Sequence, residues 1–282
     1  MLAAFLIILR EGLEVALIVS LILAYLKKSN KSDLVIYLWT GVISALILSV
    51  ISGTVLYLFY GGLDEVAEKF FAGSVSVFAS IVLTYMILWM AKQARNIKET
   101  FEKRISTALT KGSYLSLFAL SFTMVLREGI ESVLFTTSLL INDLTGTLYG
   151  ITLGMLVVLM FSFALLKGVA YIDIGKFFKY TSIILIVVAA GILGYGIHEF
   201  LEGFTLLGID VGILSMELFN INPPQNPDGS YPLLHEKGLV GSFLKTLVGY
   251  DGNPEILRVI IYVIYWVVLG VYFLKDRSHP KS

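Results

Sequence analysis

Arg10-Glu11-Gly12-Leu13-Glu14 and Arg127-Glu128-Gly129-Ile130-Glu131 set the same charge pattern inside two apolar runs. In each, one arginine and two glutamates are surrounded by Leu, Ile, Val, Ala and Phe. A charged side chain at the centre of a membrane helix costs about 2.5–3.5 kcal/mol on insertion scales. Six such charges arranged as a repeat therefore point to a binding or transport site within a membrane.

Composition agrees with a membrane setting. Hydrophobic residues make up 57% of the chain and charged residues 15%, with a mean hydropathy of +0.84. A soluble domain carries about 25% charged residues. The formal net charge is zero and no long basic tract occurs, which argues against nucleic acid as a partner. Cysteine is absent. Disulfides, thiolate metal sites and cysteine nucleophiles are thereby excluded, and any metal is left to oxygen and a few imidazoles. The N-terminal apolar run has no basic residue before it and is interrupted by Arg10, Glu11 and Glu14. It reads as a retained first span, not a signal peptide.

Seven segments approach the ~20 residues that cross a bilayer: Leu2–Leu26, Leu34–Tyr60, Phe70–Met90, Tyr114–Ile141, Leu148–Lys167, Phe177–Phe200 and Ile256–Leu274. The expected fold is an all-α membrane protein of seven transmembrane helices. The loops after the first, third and fifth spans and the C-terminal tail hold fifteen Lys and Arg; the opposite loops hold only Lys69, Lys237, Lys245 and Arg258. The positive-inside rule then places the N-terminus outside and the C-terminus in the cytoplasm. The one long loop is extracytoplasmic and is broken by Pro223, Pro224, Pro227, Gly229 and Pro232. Its flanks, Leu206–Phe219 and Gly238–Val248, are apolar enough to lie on the membrane surface or against the bundle.

Each motif opens a unit of three spans, and an odd number of crossings inverts the second unit. The organisation expected is a first three-helix repeat over 1–111, a second, inverted repeat over 112–204, the extracytoplasmic loop over 205–253, and a seventh helix with cytoplasmic tail over 254–282. Both motifs fall about halfway along their spans. Inverted repeats meeting at a midplane site are a recurring plan of secondary transporters. Gly12 and Gly129 would let the motif helices approach closely.

On a helix, Glu11 and Glu14 share a face, as do Glu128 and Glu131. Each arginine stands four residues before the second glutamate of its motif and can reach it. One surplus negative charge is left in each motif. Glu199 and Glu202 at the end of the sixth span repeat the three-residue carboxylate spacing and would enlarge the cluster. Four to six carboxylates around one point form an oxygen cage suited to hard, multivalent cations. Metal candidates are thus Glu11, Glu14, Glu128, Glu131, Glu199 and Glu202, with Arg10 and Arg127 as their partners in the empty state. The plainer alternative, Arg–Glu bridges that merely lock two spans together, leaves one glutamate of each motif unexplained and stabilises little for its desolvation cost. His198, Asp64, Glu65 and Glu68 are candidates for the path by which a cation arrives, since focused negative potential concentrates cations; a solvated helix end and an ordinary acidic loop are the competing readings. Tyr85, Trp89, Tyr171, Tyr195 and Tyr265 read as interfacial or packing aromatics.

The two motifs resemble the paired Arg-Glu-x-x-Glu motifs of the oxidase-dependent iron permeases, the high-affinity iron transporter family. Gly196-Ile197-His198-Glu199-Phe200-Leu201-Glu202-Gly203 resembles that family's segment in the sixth helix, and Gly249-Tyr250-Asp251-Gly252-Asn253-Pro254 its passage before the seventh. Phe204 departs from the pattern. The resemblance spans essentially the whole chain. It implies a multi-pass protein of the cell membrane that imports iron, typically ferric, with iron as substrate and no permanently bound cofactor. It also implies an extracytoplasmic ferroxidase or iron-delivery protein as partner. The motif residues Arg10, Glu11, Glu14, Arg127, Glu128 and Glu131 carry transport on this reading, with Glu199 and Glu202 secondary. A transporter of manganese, ferrous iron or lead is the alternative. A membrane di-metal oxidase is disfavoured, because such helical sites use Glu-x-x-His pairs and the chain has none. The chain is therefore read as a permease, not an enzyme.

Overall fold

A computed structural model describes residues 1–93, 114–166, 174–227 and 229–278. Among them the chain is helical, with no strand beyond an isolated bridge between Glu217 and Glu255. The helices are α1 (Leu2–Lys28), α2 (Val35–Tyr60), α3 (Glu65–Gln93), α4 (Tyr114–Asn142), α5 (Leu144–Leu166), α6 (Ile174–Leu206), α7 (Leu239–Val248) and α8 (Ile256–Ser278). By length and apolar composition α2, α3, α5, α6 and α8 can cross a membrane. α1 and α4 are comparable, at 27 and 29 residues, but carry the motif charges. The basic loop between the third and fourth spans, with the expected boundary at 111–112, lies outside the described residues, as do Lys167, Tyr171 and Lys281.

Two compact units are formed, and each draws on both halves of the sequence. The first comprises Met1–Gly61 and Tyr85–Leu185, the second Gly62–Thr84 and Ile186–Ser282. The division runs through α3 and α6.

In the first unit α1 packs along α5, α2 packs along α4, and α1 also touches α4. Small residues set both registers. Gly150 lies against Met1 and Ala4, Gly154 against Ile8, and Gly12 against Val158. Gly41 lies against Ser121, Ser49 against Gly129, and Gly53 against Val133. In both pairings residue numbers rise together, so α1 and α5 run parallel, as do α2 and α4. The contacts step along the helices four residues at a time, which keeps them on one face. Gly41, Ala45, Ser49 and Gly53 on α2, and Gly146, Gly150 and Gly154 on α5, are the small-residue stripes that bring backbones close in membrane helices. An apolar core of Ile18, Val19 and Ile22 from α1, Leu38 and Val42 from α2, and Leu117 and Val125 from α4 fills the space beside them. Asp143 alone separates α4 from α5; its Oδ1 accepts the Gly146 N–H at 2.9 Å and caps the new helix.

In the second unit the first half of α3 meets the second half of α6. Gly73 faces Gly196 and Phe200, and Ser80 Oγ donates to the Ala189 carbonyl at 2.7 Å. Phe204, the residue that departs from the family pattern, packs edge-on against Phe70 at 5.2 Å between centroids. α3 starts at Glu65, earlier than the expected Phe70, because Asp64 Oδ1 accepts the Ala67 N–H at 2.9 Å. Glu65 and Glu68 thus sit in an acidic first turn, where the helix dipole favours them.

The two apolar flanks of the long loop differ. Leu206–Phe219 forms only a short 3-10 turn at Gly212–Ser215, since Gly208 and Gly212 take left-handed φ of 71° and 66°. The second flank becomes α7. It ends at left-handed Gly249, where Gly249 N–H donates to Lys245 O and Tyr250 N–H to Leu244 O at 3.1 and 3.3 Å. Residues 216–222 return beside 252–256, held by Leu218 N–H to Pro254 O, Ile221 N–H to Gly252 O and Ile256 N–H to Met216 O at 2.9, 2.7 and 3.0 Å. Arg258 pairs with Asp251 and fastens this layer to the start of α8.

Candidate functional site

α1 and α4 bring their motifs together. Glu11, Glu128 and Glu131 each offer an oxygen within 4.8 Å of the others. Helical spacing puts Glu128 and Glu131 on one face of α4, and the α1–α4 contact adds Glu11. Glu11 is 1% exposed, and neither of its oxygens has a hydrogen-bond partner among the described residues. One oxygen each of Glu128 and Glu131 is buried without a hydrogen-bond partner among the described residues as well, and Glu14 Oε1 has only an ion pair with Arg10. Glu14 lies within electrostatic reach of Glu128 and Glu131.

The arginines reach the second glutamate of their own motifs. Arg127 Nε donates to Glu131 Oε1 at 2.9 Å and stands 3.7 Å from Glu128 Oε1. Arg10 Nε stands 3.3 Å from Glu14 Oε1. Arg10 is fully buried, and its Nη2 donates to Met90 Sδ at 2.7 Å. Arg127 lies over the Trp89 ring, 5.3 Å from the centroid. Two arginines thus stand among the four glutamates of the two motifs. An ionised carboxylate buried without a partner is costly, and a multivalent cation bound by several such oxygens removes that cost.

A second cluster lies in the other unit. His198, Glu199 and Glu202 each offer a ligand atom within 4.8 Å of the others. Lys69 Nζ stands 3.2 Å from Glu199 Oε2 and also pairs with Glu202. His198 Nδ1 shares a 2.5 Å hydrogen bond with Glu255, and its Nε2 lies 3.4 Å from Glu202. Burial pushes the Glu255 carboxyl up, but the hydrogen bond and charge of His198 outweigh it and hold Glu255 below the usual glutamate range. Glu199 and Glu202 are thus grouped with a histidine and a lysine. Asp64, Glu65 and Glu68 start α3; Asp64 is occupied as its cap.

Four residues of these clusters escaped the reading of the sequence. Glu255 follows Pro254 directly, at the end of the passage that marks the seventh helix, and Lys69 is the one basic residue at the head of the third span. Both were visible as charges at the edge of apolar runs. Trp89 read as an interfacial aromatic and Met90 as the end of an apolar run; neither carried a signal of its own.

The model of the iron permease FTR1 family matches residues 1–278. An uncharacterized protein of Archaeoglobus fulgidus is 36% identical over 281 residues, covering 100% of this chain and 96% of the relative. A protein of Yersinia pestis named ferrous iron permease EfeU is 33% identical over 286 residues, covering 100% and 96%. One of the same name from Escherichia coli O6:K15:H31 is 31% identical over 282 residues, covering 97% and 95%. No solved structure matches the chain.

Proposed function

Because the chain belongs to the iron permease FTR1 family, we propose that it imports iron across the cell membrane through a site built from Glu11, Glu14, Glu128 and Glu131. The observation that carries this reading is Glu11, buried and without a hydrogen-bond donor among the described residues, converging with Glu128 and Glu131. The proposed architecture is seven crossings in two inverted three-helix repeats plus a last helix, N-terminus outside. Alternating crossings require α1 and α5 to run one way and α2 and α4 the other. The parallel pairings support that order, and each repeat contributes its first helix to the second helix of the other. Arriving iron displaces Arg10 and Arg127 from Glu14 and Glu131. His198, Glu199 and Glu202 serve as an auxiliary cation-binding cluster.

Glu11→Gln and Glu128→Gln, reconstituted in proteoliposomes, are expected to lose iron uptake while remaining folded and inserted. Normal uptake by both would reject the site. The cargo's oxidation state has two readings. An all-oxygen donor set suits ferric iron, which would need an oxidising partner outside; the name shared by the Yersinia and Escherichia relatives favours ferrous iron. Uptake of each ion against competition by the other separates them.

A further inference from the structure

We propose that Trp89 and Met90, adjacent on α3, are positioning residues that compete with the carboxylates for the two motif arginines and so set the affinity for the transported cation. The proposal rests on reading the Glu11–Glu128–Glu131 cluster as the iron site. Consecutive helix residues point in different directions, so one α3 step can serve two arginines. Met90 takes Arg10: among the described residues its Sδ accepts from Nη2, beside the 3.3 Å approach of Nε to Glu14. Among the described residues, Arg10 Nε and Nη1 are buried without a hydrogen-bond partner. Trp89 takes Arg127, whose guanidinium lies over the ring while Nε bonds Glu131.

Each arginine is thus shared between a carboxylate of its own helix and an uncharged group on α3. That sharing matters because guanidinium and incoming cation compete for the same oxygens. Whatever draws the guanidinium toward α3 leaves Glu14 and Glu131 freer to bind. Thioether sulfur is a weak acceptor, and an indole face attracts a guanidinium without a hydrogen bond. Both hold loosely enough to let the arginine return when the cation leaves. Neither is a donor suited to a hard cation, so they attract the arginine without joining the cage.

Initial rates of iron uptake by proteoliposomes, measured across iron concentrations, test this. Trp89→Leu should raise KM about two- to five-fold, the worth of an exposed cation–π contact, with Vmax within two-fold of wild type. Trp89→Phe, which keeps a ring face, should stay near the wild-type KM. Met90→Leu should raise KM, and Met90→Gln, whose amide oxygen is a stronger acceptor, should lower it. A lowered KM is not a consequence of poor folding, so this variant keeps the test decisive if Leu variants are unstable. Unchanged KM in both Leu variants, a fall in Vmax at constant KM, or a raised KM in Met90→Gln would overturn the proposal. Normal uptake by both Glu11→Gln and Glu128→Gln would instead remove the site itself, a result distinguishable from failure of the α3 variants alone.

Discussion

Gly129 of α4 and Ser49 of α2 touch so closely that one carbon added to Gly129 would overlap the serine hydroxyl. Ser49 cannot easily turn away, since its Oγ donates to the Ala45 carbonyl at 2.9 Å. Gly12, the counterpart in the first motif, is as tightly faced: a Cβ there would come within 2.6 Å of Val158 Cγ2. The glycine of each motif is therefore the point at which its helix meets a neighbour, while the flanking glutamates turn toward the cluster.

Gly129→Ala should destabilise the protein by about 1–3 kcal/mol, the usual cost of overpacking. Adding Ser49→Gly makes room for the new methyl group and should restore most of the loss. Thermal unfolding in detergent measures both. A single variant as stable as wild type, or a double variant no better than the single, would contradict the contact.

Glu11→Gln should separate stability from transport. The substitution replaces a buried carboxyl group that no donor among the described residues meets, within a cluster rich in carboxyl groups. The unfolding temperature without iron is expected at or above that of wild type, whereas uptake should fall at least ten-fold. The two measurements together distinguish a binding residue from a structural one, because loss of a structural ion pair would lower both.

The local part of this site was legible in the sequence. Four-residue spacing predicts that Arg10 reaches Glu14 and Arg127 reaches Glu131, and both contacts occur. Helical spacing depends on neighbours along the chain alone. The meeting of Glu11 with Glu128 depends on which helices pack, and the stripes Gly41-x3-Ala45-x3-Ser49-x3-Gly53 and Gly146-x3-Gly150-x3-Gly154 hold that information. Hydropathy also misplaced the start of α3. An apolar window opens at Phe70, but a helix starts where a side chain meets its free N–H groups, and Asp64 does so six residues earlier. That shift places Lys69 inside the helix and on the side of Glu199 and Glu202. Trp89 and Met90 were not legible, because an aromatic and a thioether at the end of an apolar span look the same whether they meet lipid or an arginine.

Lys69 occupies the second cluster as a tethered cation. Glu199 is buried at 6% exposure and Lys69 is its ion-pair partner. Lys69→Met should leave that carboxylate unpaired and cost roughly 3–5 kcal/mol, as for one half of a buried pair. If the cluster accepts cations, divalent manganese should recover much of the lost stability in the variant and add little to wild type. A destabilised variant indifferent to manganese would reduce Glu199 and Glu202 to a structural role.

Acid should loosen the segment between α7 and α8 before it disturbs the apolar helix contacts. Burial pushes the Asp251 carboxyl up, but the Arg258 guanidinium, the Asn253 N–H and Lys245 outweigh it and hold Asp251 below the usual aspartate range. The unfolded chain takes up a proton near the ordinary aspartate value of about 3.9, whereas the folded one resists until lower pH. A carboxylate with a depressed folded value contributes stability above the unfolded value and loses it as pH falls toward the folded one. Glu255, held down by His198, adds to the same trend. Wild-type unfolding temperature should therefore fall below about pH 4. Asp251→Asn should be less stable at neutral pH, with a shallower fall in acid, because the amide cannot be protonated in that range and leaves Arg258 with a weaker partner. Equal acid sensitivity in the variant and wild type would show that Asp251 does not bear the load assigned to it.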